Sequence, residues 1–208
     1  IGCGSGLSSL AAINLKCKSI FAIDDDPQSV LTTNFFLKKY EKKAKVKKLS
    51  VFDLNEKYKF DIVYSWGVLH HTGFMIKAIK KTCKMVDNGG LLIISLYKKT
   101  YLCSFWKVEK LIYSKSPIFI QKIIKNVFIF FLKFGLFLTK KNFNDYVKDY
   151  EKTRGMNFYH DVHDWLGGYP YESISVKETK NLLESMNFKL IKCFETQKKV
   201  GLFGSGCD

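Results

Sequence analysis

Gly2-Cys3-Gly4-Ser5-Gly6 opens the chain and runs straight into a helical pattern of apolar residues. Alternating glycines let the backbone turn tightly and approach a ligand with no Cβ in the way. Free N–H groups at the start of the helix favour a negative group there. The dinucleotide fingerprint has two residues before its third glycine; here the spacing is G-x-G-x-G, and position 7 is Leu7. Asp24 lies eighteen residues beyond Gly6, at the end of the next apolar run. A carboxylate at that place accepts hydrogen bonds from both hydroxyls of a ribose. Asp26, just before Pro27, has the place of a helix N-cap, which leaves Asp24 for the sugar. Asp53 follows the third strand and fits a carboxylate accepting from an adenine amino group, with a plain surface turn as the alternative.

Two further groups of residues could do chemistry. The run from Asp61 to His71 (DIVYSWGVLHH) ends in two adjacent histidines, which either act on protons or bond loop carbonyls. The stretch 157–172 (NFYHDVHDWLGGYPYE) packs His, Asp, Tyr and Trp densely between glycines and a proline. Three readings stay open for it. The first is an acceptor-binding lid in which Tyr159, His160, Asp161, His163, Trp165 and Tyr169 give aromatic walls and polar hooks. The second is a metal site of His160, His163 and an Asp. The third is a structural loop whose side chains satisfy buried backbone.

The elements that position these groups alternate. A helix is expected over residues 5–16, with Leu7, Leu10, Ala11 and Leu15 on one face. A strand follows at 19–23, then a helix from Pro27 to about 42, a strand over 46–49 with its exit at Val51-Phe52, and a buried strand at 60–66. A helix at 74–85, a turn at Asn88-Gly89-Gly90 and an almost wholly apolar strand at 91–96 complete the run. This rhythm predicts a doubly wound, mostly parallel α/β sheet with helices on both faces. It breaks at 101–150, a Phe-, Ile-, Leu- and Lys-rich helical insertion, and 154–172 reads as loop. A helix at 176–186, a strand at 188–195 and the start of a last strand at 201–203 close the chain. The division is a core at 1–97, an insertion at 98–175 and a closing helix and strands at 176–208.

Within the insertion, residues 118–138 are long enough to cross a bilayer, but Lys122, Lys125 and Lys133 interrupt them at a cost. Lys122, Asn126 and Lys133 share one side of a helical projection, opposite Ile, Phe, Val and Leu. A lid packed on the core, an interfacial membrane helix and a spanning helix are the alternatives.

The formal net charge is +15, yet of 34 basic residues only Arg154 is arginine. Nucleic-acid surfaces lean on arginine for bidentate contacts, so lysines spread along the whole chain read as a solvated surface and argue against a nucleic-acid partner. Six cysteines form no C-x-x-C pair and no zinc spacing; Cys17, Cys83 and Cys193 sit among apolar residues as small core hydrophobes. A reduced, cytoplasmic compartment fits, with membrane association left to the 118–138 helix.

Taken in order, Gly2-Cys3-Gly4-Ser5-Gly6, Ala22-Ile23-Asp24, Asp53, the Asp61–His71 run and Asn88-Gly89-Gly90-Leu91 resemble the class I S-adenosylmethionine-dependent methyltransferases. The likeness is close over 1–97 and holds in outline over 177–208, and it leans towards quinone-ring and small-molecule methylases. It implies that Gly2, Gly4 and Gly6 cradle the methionine part of S-adenosylmethionine. Asp24 would hold the ribose and Asp53 the adenine, while Ser65 and Trp66 would line the cofactor. No metal is implied. The acceptor would be a small, apolar or ring-bearing molecule, methylated at a hydroxyl oxygen. His71 would be the base, because His70 continues the apolar packing. Ser65-Trp66-Gly67-Val68 stands where enzymes acting on nucleobase amines carry Asn/Asp-Pro-Pro-aromatic. An RNA-directed methyltransferase, and a membrane-surface or partner-binding protein that keeps the fold without the chemistry, are the alternatives. Ile1 opens directly into the glycine loop, so the chain reads as a fragment without the family's first strand and is expected to be poorly stable alone, with neighbouring strands left unpaired.

Overall fold

The structure is a computed structural model that describes residues 1–154 and 157–194. It divides into two compact units, one of Ile1–Lys99 with the described residues from Glu172 onward, the other Thr100–Tyr171.

The first unit alternates strand and helix as expected. Helix α1 (Leu7–Asn14) leads to β1 (Ile20–Asp24), α2 (Pro27–Leu37), a 3-10 turn at Lys38–Tyr40, β2 (Ala44–Lys48) and a second 3-10 turn at Val51–Asp53. Then come β3 (Phe60–Trp66), a third turn at Leu69–His71, α3 (Met75–Cys83) and β4 (Val86–Ser95). Local chemistry fixes several boundaries. Asp26 caps α2 by accepting from Ser29 N–H at 2.7 Å, and Pro27 takes the first turn. The Ser29 amide and then the Ser29 side chain hold the Asp26 carboxyl below its ordinary range. Helix α3 buries Met75, Ala78, Ile79, Thr82 and Cys83, the i, i+3, i+4, i+7, i+8 stripe of a helix laid on a sheet. With Ile23, Val63, Leu69 and Met85 these side chains form the core.

Among the described residues strand pairing is parallel, in two separate ladders, β1 with β2 and β3 with β4. Ile1–Cys3 lies between them: Ile1 N donates to Tyr64 O of β3 at 2.8 Å, and Gly2 and Cys3 N–H both donate to Ile23 O of β1 at 2.9 and 3.0 Å. The glycine loop therefore occupies the seam between the two ladders.

Four expectations are corrected here. Asn88-Gly89-Gly90 is not a turn ahead of a strand but an irregularity inside β4, where pairing steps from Phe60↔Val86 to Ile62↔Leu91 and Gly89 takes φ 77. The apolar face of α1 packs only in part: Leu10 is half-buried, but Leu7 is 62% and Leu15, just past the helix, 85% exposed. Residues 188–194 form no strand, and Ile191 and Phe194 are exposed; a strand needs a ladder partner as well as an apolar pattern. Cys193 is exposed rather than core, whereas Cys83 is buried and its thiol is pushed up to about 11 by burial. Glu195 and the strand expected at 201–203 lie outside the described residues. Helix α8 (Val176–Glu184) starts from a Ser175/Glu178 capping box.

The second unit is all helical: α4 (Cys103–Lys115), α5 (Ile118–Leu138), α6 (Phe143–Arg154) and α7 (Phe158–Leu166), around Tyr113, Ile129, Phe158, Val162 and Leu166. Helix α7 replaces the loop expected at 154–172. Its signal was in the sequence: Asn157 caps by accepting from Tyr159 and His160 N–H, and Phe158, Val162 and Leu166 recur at four-residue steps. The His, Asp and Gly content concealed that period. Helix α5 buries only Ile129 and Leu136. Among the described residues no helix is long and apolar enough to cross a membrane.

Candidate cofactor and transfer site

Gly2, Gly4 and Gly6 all adopt left-handed φ, at 69, 52 and 81 degrees, a region that costs other residues about 1–2 kcal/mol. Their surroundings differ. A Cβ on Gly2 would fall 2.2 Å from Val68 Cγ2, and one on Gly6 would crowd Thr33 at 3.0 Å. One on Gly4 would meet nothing within 4 Å. The loop is thus wedged by protein at both ends and open in the middle, facing the space where a ligand would lie. Asp24 ends β1 beneath it. Its Oδ2 accepts from Gly4 N–H at 2.9 Å and its Oδ1 from Asp26 N–H at 3.0 Å. A carboxylate has about four acceptor positions, so two remain for sugar hydroxyls. Thr33, wholly buried on α2, donates Oγ1–H to Gly4 O at 3.0 Å and fixes the loop from the other side. The residues present fit an adenosyl group: a glycine loop with open space over Gly4 and, beside it, an Asp with acceptor positions to spare, while the N–H groups of Gly2, Gly4 and Gly6 are themselves taken up by Ile23 O, Asp24 Oδ2 and Cys3 O.

Sequence reasoning missed Thr33 and Val68 as loop supports. Thr33 belongs to no motif, Val68 was read only as part of the Asp61–His71 run, and each meets the loop from far along the chain.

The other expected residues are placed as follows. Asp53 is exposed at the end of the Val51–Asp53 turn, after β2. Ser65 and Trp66 point to opposite faces of β3, as neighbours on a strand must. Ser65 is wholly buried, with a hydroxyl that has no partner, while Trp66 is 55% exposed and stacks on Tyr64 at 6.1 Å. The structure therefore does not bring the two side chains to one surface.

His70 and His71 also part ways. His70 is wholly buried, stacks on Tyr97 with ring centroids 3.8 Å apart, and accepts from Tyr97 N–H through Nδ1 at 3.3 Å. That bond requires the neutral ring with its proton on Nε2, which has no partner. Burial first, and the neighbouring His71 second, depress the His70 pKa to about 2. His71 is half-buried and meets the edge of Tyr97 at 5.1 Å. Glu172 ties this turn down from 97 residues away: its N–H donates to His70 O at 3.0 Å, and its Oε2 accepts from Met75 N–H at 2.8 Å at the start of α3. No local signal announces that role.

A stability measurement follows from His70. Its pKa is lower folded than unfolded, so the unfolded chain takes up a proton below about pH 6.5 that the native state refuses. Stability attributable to this group is present at neutral pH and falls as pH drops, by up to about 1.4 kcal/mol per pH unit. Urea titrations at neutral and mildly acidic pH should show this slope in the native chain and a flatter one in His70→Gln. Equal slopes would mean that His70 is solvated.

In the second unit, α7 distributes the residues expected to bind an acceptor around its circumference. Tyr159, His160 and His163 are exposed, and so is Tyr169 beyond the helix. Tyr113 OH and His163 Nδ1 lie 2.6 Å apart, and Asp161 accepts from the Tyr150 hydroxyl. Trp165 turns inward, edge-on to Trp106 at 4.8 Å, with Lys110 Nζ 3.6 Å from its ring centroid. Trp165 is thus a packing residue rather than part of one surface with His160. No cluster of three metal-ligating side chains occurs among the described residues.

Comparison with known proteins agrees with the first unit. A family described as "Methyltransferase domain" matches residues 1–92. A ubiquinone biosynthesis O-methyltransferase of Pelagibacter ubique is 30% identical over 100 residues, 48% of this chain and 41% of that protein. A tRNA U34 carboxymethyltransferase of Campylobacter fetus is 30% identical over 118 residues, 56% of this chain and 42% of that protein. The chain spans less than half the length of these relatives. Among solved structures, PKMT2 from Rickettsia typhi in complex with AdoHcy superposes with a TM-score of 0.59 at 17% identity, over 88% of this chain and 37% of that one. That likeness concerns the fold.

Proposed function

We propose that this chain, whose residues 1–92 match a methyltransferase domain, is a class I S-adenosylmethionine-dependent methyltransferase and takes part in methyl transfer to the hydroxyl oxygen of a small, ring-bearing acceptor. The observation that carries the reading is the loop: three left-handed glycines, open only at Gly4, with the Asp24 carboxylate fixed against it. S-adenosylmethionine supplies a methyl group on a sulfonium, which leaves as a neutral thioether. Gly2, Gly4 and Gly6 would hold its methionine end and Asp24 its ribose, with Asp53 at the adenine and Trp66 alongside.

Much of the acceleration is positioning. His71, with one face on Tyr97, takes the hydroxyl proton while the oxygen lone pair forms the new C–O bond. His70 stays neutral and holds the turn. His71→Ala should then lower turnover by about 10²–10⁴-fold with cofactor affinity unchanged; retained turnover would remove the base from this reading. Tyr159, His160, Asp161, His163 and Tyr169 are assigned to the acceptor. His160→Ala, at an exposed position, should cost about tenfold in turnover, the scale of one hydrogen bond, and leave cofactor binding intact. Trp165→Ala is a poorer probe because it removes packing.

The deciding experiment incubates the full-length protein with labelled S-adenosylmethionine and a metabolite extract and identifies the methylated product. A product methylated at nitrogen or carbon would sink the hydroxyl assignment. One observation favours a second reading, RNA as acceptor. Lys77, Lys80 and Lys81 of α3 and Lys84 just after it line a concavity of about 710 Å³, and one relative is named for tRNA. Glu56 pairs with Lys81 and Lys84 at 3.1 and 3.3 Å, which reduces the charge on offer. Labelled RNA in the same assay separates the two.

A further inference from the structure

We infer that the helical unit Thr100–Tyr171 docks on an anionic phospholipid surface through the outer faces of α4 and α5. Helix α5 is apolar on most of its circumference, yet only Ile129 and Leu136 are buried. Phe119, Ile123, Phe130, Phe134 and Phe137, at steps of four, seven, four and three, lie along one side with every member more than half exposed, Phe137 at 75%; exposed Asn126 sits between Ile123 and Phe130, so the polar side expected opposite the apolar one adjoins it instead. Steps of that size keep residues on one side of a helix. Helix α4 repeats the arrangement: Tyr101 just before it, then Phe105, Val108 and Ile112, are all exposed. Monomers rarely leave this much clustered apolar surface uncovered.

Charge identifies what covers it. From Thr100 to Lys141 the chain holds eight lysines and one acidic residue, Glu109. The exposed lysines lie around the stripe: Lys115 ends α4, Lys122 and Lys133 are on the flank of α5, and Lys140 and Lys141 follow its last turn. The unit's other acidic residues all lie at 145–164. A protein partner would be expected to meet the apolar rows with mixed charge. Aromatic rows whose exposed charges, from Thr100 to Lys141, are all lysine match acyl chains beneath anionic headgroups. Lysine stems lie along apolar surface while their ammonium groups reach outward. The inference concerns binding and does not depend on the acceptor.

The test is flotation of the full-length protein with vesicles on a density gradient, so that aggregated protein stays at the bottom. Vesicles of phosphatidylcholine containing phosphatidylglycerol should carry the protein up, and phosphatidylcholine alone should carry about tenfold less. High salt should reduce the difference. Phe130→Ser with Phe134→Ser changes exposed positions only and should lower flotation by at least about tenfold, with helix content unchanged by circular dichroism. Lys140→Ser with Lys141→Ser should weaken the preference for phosphatidylglycerol. Absence of flotation with anionic vesicles would overturn the inference. So would flotation indifferent to both pairs of substitutions, or a dimer in lipid-free solution that the phenylalanine substitutions dissociate, since a second copy would then be the occupant.

Discussion

Gly2→Ala is expected to destabilise the first unit by roughly 2–5 kcal/mol, the sum of a left-handed alanine at about 1–2 kcal/mol and an overpacked contact at about 1–3 kcal/mol. The contact is specific: the new methyl lies 2.2 Å from one Val68 methyl and 2.8 Å from the other. Loss on this scale is a large share of a domain's stability. Val68→Ala in the same chain removes both methyls and should restore part of the loss. Gly4→Ala meets no atom within 4 Å and should cost only the backbone amount, yet it should lower affinity for S-adenosylmethionine at least about tenfold, because its methyl enters the cradle. Denaturant midpoints and calorimetry read the two effects separately. If Gly4→Ala bound the cofactor as tightly as the native chain, the loop would not be its cradle.

Asp24→Ala is expected to weaken S-adenosylmethionine binding by at least about tenfold, as charge-assisted hydrogen bonds of roughly 1.5–3 kcal/mol are removed. The geometry adds a second route to the same loss. Asp24 also holds Gly4 N–H and Asp26 N–H, so its removal loosens the loop as well as the sugar contact. Asp24→Asn keeps one acceptor oxygen and should fall between the two. Thr33→Val, which removes the other tie to Gly4 but no ribose contact, should cost less than Asp24→Ala. Calorimetry that found equal affinities for the native chain and Asp24→Ala, both folded, would refute the assignment.

The first unit was legible in the chain because its information is local. The glycine spacing, the Asp26-Pro27 start and the apolar period of α3 are set by neighbours within a few residues, and each is found where those neighbours place it. Helix α7 was legible too, through Asn157 and the spacing of Phe158, Val162 and Leu166, but its dense polar content masked the period. Other features depend on partners distant in sequence. The separation of Ser65 from Trp66 comes from strand alternation against a core assembled from α3 and β4. His70 is neutral because Tyr97 and the fold around it exclude water. The loop's stiffness comes from Thr33 and Val68, and the His70–Met75 turn is held by Glu172. Residue types and spacing thus determined which groups could do chemistry. Which of them are buried, fixed or left facing outward was decided only by packing, because desolvation and contact depend on what lies opposite rather than on what lies next in the chain.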